Sequence, residues 1–125
     1  MVPYAIAHDG SGLIIHVSRL SSHTKDMRAD PRVSLLVMQE DGGATSALAL
    51  PRASIQGLAL ELASAAPDLP GFRAAYLERF PEASQMFGFA DFSLFKIQPA
   101  SVRFVAGFAQ AHTFSAESFA RLLAD

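Results

Sequence analysis

The stretch from Ser18 to Val37, S-R-L-S-S-H-T-K-D-M-R-A-D-P-R-V-S-L-L-V, restricts the fold more than any other part of this chain. An apolar run, Leu13-Ile14-Ile15-His16-Val17, leads into it and reads as a strand. Ser21 or Ser22 then caps a helix running from about Ser22 to Ala29. Pro31 ends that helix, because proline disfavours the helical region for the residue before it, here Asp30. Val33 to Met38 is nearly all apolar, which predicts a second strand covered on both faces. The first amides of a helix lack partners within it and sit at the positive end of its dipole. Ser18, Arg19, Ser21, Ser22, His23 and Lys25 add hydroxyls, two cations and a titratable ring at that point, residue types suited to an anion such as phosphate. A well-capped helix on a solvated face is the plainer account of the same residues.

Elsewhere the patterns alternate between strands and turns. Val2–Ala7 reads as a strand, His8-Asp9-Gly10-Ser11-Gly12 as a hairpin turn, and Leu13–Ser18 as the return. Glu40 to Ser46, with Asp41-Gly42-Gly43, is a loop. Ala53–Ala63 is a long strand in which Leu58, Leu60 and Leu62 alternate against Ala59, Glu61 and Ala63. Ser64 to Gly71, with Pro67 and Pro70, punctuates the chain. Phe72, Tyr76 and Phe80 then form an apolar helical stripe opposite Arg73, Glu78 and Arg79, most simply core and subunit interface. Pro81 ends that helix or starts a short one through Met86. Asp91–Gln98 is a strand, Pro99 a turn, and Ser101–Phe114 a strand interrupted by Gly107. Ser115 caps a last helix over Ala116–Leu123. Hairpin-linked strands around a helical insert do not alternate as βαβ units, so the class is α+β. The sheet is mainly antiparallel and curls into a barrel with peripheral helices, in a single domain over residues 1–125.

Composition removes several functions. The net charge is −2 over 125 residues, with no basic surface of the scale nucleic acid requires. Without cysteine there is no disulfide, thiol catalysis or thiolate metal site. No apolar run reaches membrane-spanning length and no leader pattern opens the chain, so the cytoplasm is the expected location, with no membrane partner. His8 and His16 are not at a metal-ligand spacing, so no metal site is assigned. Neither a nucleophile elbow nor a dinucleotide or phosphate-loop fingerprint is present.

Four pieces carry a family resemblance: V-P-Y-A at Val2–Ala5, S-R-L-S-S-H-T-K-D-M at Ser18–Met27, A-D-P-R-V-S-L-L-V at Ala29–Val37, and D-F-S-L-F-K-I with V-A-G-F-A-Q-A at Asp91–Ile97 and Val105–Ala111. In order and spacing they resemble the pyridoxamine 5′-phosphate oxidase-like family of FMN-binding split barrels, in its haem-utilisation and flavin-reductase-like branch. The resemblance implies a homodimeric flavoprotein with FMN between the subunits, acting as an oxidoreductase on a small molecule. It places Val17, Ser18, Ser21, Ser22 and His23 at the FMN phosphate, with Arg19 and Lys25 close by. Val2, Pro3 and Tyr4 would line the flavin ring, and Arg52 and Ala53, with Ser54, would come from the second subunit.

Departures from the family pattern narrow this reading. The oxidase has an Arg-Lys pair where this chain has Ser22-His23. It also holds its substrate with an Arg-x-His pair, where this chain has Ala111 and Thr113 around His112. Pyridoxamine phosphate oxidation is therefore not expected. The family has a helix and a strand before V-P-Y, and this chain opens at Met1, in the place of a family arginine that reaches the phosphate. A split barrel lacking that helix and first strand would leave an unpaired edge. The alternative function is a non-enzymatic module that carries haem or another planar ligand, with His112 as the candidate haem ligand.

Overall fold

Three hairpins, one of them supplying a long central strand, build the sheet in this computed structural model, which describes residues 1–40, 42–43, 46–88, 91–107 and 110–124. The first hairpin pairs β1 (Ala5–Ile6) with β2 (Leu13–Ser18), and the second pairs β3 (Arg32–Met38) with β4 (Arg52–Glu61). The third pairs β5 (Phe92–Gly107) with β6 (Gln110–Ser115). All pairings are antiparallel, and the path is β1-β2-β5-β4-β3 with β6 also on β5. The ends of that path, β1 and β3, do not pair with each other, so the sheet curls without closing. Helices α1 (Ser22–Ala29), α2 (Leu69–Arg79) and α3 (Ala116–Ala124) complete the α+β architecture that the hairpin pattern implied. No helix among the described residues is long and apolar enough to cross a membrane.

Alternation along the strands separates two cores. Ile14 and Leu94 face Phe72 and Tyr76 of α2, while Leu13, Ile15, Phe95 and Ile97 join Ile55, Ala59 and Val102 inside the curl. The helical stripe of Phe72 and Tyr76 is thus core, as its spacing implied. Pro70, read from sequence as punctuation, lies in the first turn of α2, where its missing N–H costs nothing.

Three expectations need correction, and the structure also settles which face of β4 is the inner one. β1 is shorter than Val2–Ala7, because Pro3 has no N–H to give and only Ala5 and Ile6 pair with β2. β3 is not covered on both faces: as the last strand of the path it leaves Leu36 60% and Met38 47% exposed. In β4 the phase is set by Ile55, Gly57 and Ala59 pointing inward, so Leu58 and Leu60 point outward. Pro99 is not a turn but lies within β5. β2 pairs with β5 only as far as Ile97, and the pairing of β5 with β6 begins at Ser101 on that same side. Pro99 falls in the handover and opposite the register shift at Gln56/Gly57, where a missing N–H breaks no ladder bond. The reversal comes after Gly107 instead; residues 108 and 109 lie outside the described residues, as do 41, 44 and 45 of the expected loop.

Gly10 closes the first hairpin in the left-handed region, at φ 73°. A Cβ there would also lie 2.6 Å from the Ala120 carbonyl oxygen, so the turn is seated against α3.

Candidate functional site

Because the sheet does not close, its two ends flank an open cleft of about 1130 Å³. Val2, Pro3 and Tyr4 form one wall and β3 the other. Consecutive residues from Val33 to Met38 line it, so the cleft runs along the edge of β3 rather than against one of its faces. Ile15, Val17 and Ile97 contribute from the sheet and Met27 from α1, making the walls mainly apolar. Apart from Ser34 on β3, the polar side chains gather at two places: Ser18, Ser21 and His23 at the start of α1 with Asp26 a turn further on, and Arg79, beside Phe80, at the end of α2.

Helix α1 is fixed firmly enough to hold its side chains in place. Thr24 is fully buried and donates its hydroxyl to the Ser18 carbonyl oxygen at 2.5 Å. Ser21 is the N-cap, its Oγ accepting the His23 N–H at 3.2 Å, and Ser18 Oγ accepts the Leu20 N–H. At the other end Arg28 makes a bidentate pair with Glu61 of β4, at 2.7 and 3.0 Å. That pair, helped by Ser93 and the charge of Arg19, holds the Glu61 carboxyl below its usual range.

The structure brings together only part of the group singled out from sequence. Val2, Pro3, Tyr4, Val17, Ser18, Ser21 and His23 share the cleft. Arg19, Ser22 and Lys25 are not among its lining residues: Arg19 turns to Ser93, Nε donating to Oγ at 2.9 Å, while Ser22 and Lys25 are exposed. The two lysine and arginine charges expected to meet a phosphate therefore stand outside the cleft. Arg52 donates to the Leu48 and Leu50 carbonyl oxygens, and Ala53 is held in the sheet between Val37 and Phe104. His112 is exposed on β6 opposite Phe104, also outside the cleft. Among the described residues no cluster of His, Asp and Glu is arranged to hold a bare metal ion.

Sequence reading missed the β3 wall from Val33 to Met38, Ile15, Ile97, Asp26 and Met27, and, from α2, Arg79 and Phe80. Arg79 is exposed, as its place opposite the apolar stripe implies, and its guanidinium also lies 4.6 Å from the Tyr4 ring centroid and 5.2 Å from that of Phe80. The available signal was its place in the last turn of a helix, next to an aromatic residue at the helix end.

His16 serves the opposite face of the sheet. Its ring stacks on Phe87 at 4.1 Å and 5° and meets the edge of Tyr76 at 5.7 Å. Burial, and to a smaller extent Arg73, push its pKa below the ordinary 6.5. The fold thus accommodates the neutral ring, and the unfolded chain takes up a proton first as pH falls. Stability is whole above about pH 6.5 and declines below it. His16→Phe is expected to flatten the decline in melting temperature between about pH 7 and pH 5, measured by circular dichroism. An unchanged slope would show that His16 does not set it.

Comparison with known proteins gives relatives over nearly the whole chain. HOZ, a chloroplastic heme oxygenase of Arabidopsis thaliana, is 38% identical over 117 residues, covering 94% of this chain and 34% of HOZ. Heme oxygenase HutZ of Vibrio cholerae is 26% identical over 118 residues, covering 93% of this chain and 67% of HutZ. Among solved structures, the heme binding protein from Mycobacterium smegmatis superposes with a TM-score of 0.85 at 25% identity, over 96% of this chain and 48% of that protein. The chain thus spans a third to two thirds of the length of these relatives. The family described as CREG, beta-barrel matches residues 1–121. With a match of that extent on an unclosed antiparallel barrel, the chain belongs to the CREG β-barrel family.

Proposed function

We propose that this chain is a haem-binding split-barrel module that works as a homodimer, with haem held in the cleft between β3 and the Val2–Tyr4 segment. The observation that carries this reading is the make-up of the cleft. It is a large, mainly apolar groove with one imidazole, His23, among its described lining residues. A porphyrin presents two apolar faces, and Val17, Met27, Val33, Leu35 and Val37 offer the surface to cover one. His23, on a helix clamped at both ends, is the side chain suited to ligate iron. Bound haem would supply the redox-active iron, while the chain's residues exclude water and set the ring's orientation. Relatives named as heme oxygenases and as a heme binding protein support the same ligand.

FMN is the weaker reading. Its phosphate needs several strong donors, and Arg19 and Lys25 lie outside the cleft. The competing ligands separate in one titration series. Haemin is expected to give a saturable Soret band with the wild-type protein. His23→Ala should shift and weaken that band, and His112→Ala should leave it unchanged. FMN fluorescence is expected to stay unquenched at about 10–50 µM protein. Quenched FMN together with an unperturbed haemin spectrum would overturn the haem reading in favour of a flavin. Light scattering should give twice the 13.4 kDa chain mass, and a mass of one chain would remove the homodimer.

A further inference from the structure

We infer that Arg79 is a carboxylate anchor, which makes the cleft selective for planar tetrapyrroles bearing free propionates. The inference rests on the haem reading of the cleft and adds the part of the ligand that is recognised. Arg79 lines the open side of the cleft at the end of α2, exposed to solvent, its guanidinium 4.6 Å from the Tyr4 centroid and 5.2 Å from that of Phe80. Aromatic contacts of this kind hold the guanidinium plane while leaving its N–H edge available. The ion pairs among the described residues are His8–Glu78, Arg28–Glu61 and Arg32–Asp30; none involves Arg79. A cation in the last turn of a helix is also favoured by the dipole, so its placement needs no ligand to maintain it.

The charge on the cleft is polarised. Asp26 stands on the α1 side with His23, and Arg79 stands at the α2 end. A ligand with carboxylates on one edge is repelled by Asp26 and attracted by Arg79, which fixes its orientation. A planar fork with parallel N–H groups matches a carboxylate better than the point charge of lysine does.

The test compares haemin, haemin dimethyl ester and iron-free protoporphyrin IX, titrated by absorbance and by quenching of porphyrin fluorescence. Wild-type protein is expected to bind haemin about tenfold more tightly than the ester. Arg79→Gln should weaken haemin by about the same factor and leave the ester unchanged, with Arg79→Lys in between. Protoporphyrin IX should lose affinity in Arg79→Gln but not in His23→Ala, which separates carboxylate recognition from iron ligation. Equal wild-type affinity for diacid and ester overturns the anchor while leaving the haem reading standing. This comparison needs no variant, so an unstable Arg79→Gln protein does not spoil it. Failure of all three porphyrins to bind overturns the haem reading and the anchor together.

Discussion

Gly57→Ala is expected to lower stability by about 2–4 kcal/mol, a large part of what a domain of this size holds. An added Cβ would sit 2.3 Å from the Gln98 carbonyl oxygen, 3.0 Å from its carbonyl carbon and 3.1 Å from Pro99 Cα. These are backbone atoms of β5, so no side-chain rotation relieves the contact. Relief requires β4 and β5 to move apart where their register already shifts. That ladder joins the β3–β4 hairpin to the rest of the sheet, so one wall of the cleft would move with it. Urea unfolding followed by circular dichroism should show a lower midpoint at an unchanged slope. A midpoint equal to that of the wild type would mean that the strands tolerate a side chain there.

The second large effect is on the ligand. Leu35→Asp is expected to weaken haemin binding by about 100-fold. Leu35 is half-buried, lines the cleft and packs against the inner core. The substitution removes apolar contact with a porphyrin face and puts a carboxylate into a site it would have to share with that face. β3 is an end strand, so the change is easier to absorb there than in β5. Leu122→Asp, 55% exposed on α3 and outside the cleft, is the matched control and should bind haemin normally. Equal weakening in both variants would assign the loss to general destabilisation rather than to the cleft.

Local chemistry made much of this fold legible in the sequence. The bounds of β2 and α1 follow from the apolar run, the serine cap and Pro31, all of which act within a few residues. The Phe72–Tyr76 stripe likewise marked the core face of α2. What escaped the sequence depends on neighbours distant in the chain. Pro99 reads as a turn until β2 and β6 are seen to meet end to end along β5. The alternation in β4 does not say which of its faces is the inner one until Gly57 is seen pressed against Gln98. The site divides in the same way. The start of α1 was visible as a cluster of serines and bases, but which of them face the cleft depends on long-range partners. Ser93 draws Arg19 away, while Tyr4 and Phe80 hold Arg79 in place. The anion-ready helix start is therefore capped mainly by its own residues, and among the described residues the arginine that lines the cleft comes from α2.

Titration of the wild-type protein with haemin, read at the Soret band beside His23→Ala and His112→Ala, tests the central claim most directly. The expected result is saturable binding with a spectrum that changes in His23→Ala and matches the wild type in His112→Ala. A spectrum indifferent to His23, or no band at all, would contradict haem binding in the cleft between β3 and the Val2–Tyr4 segment.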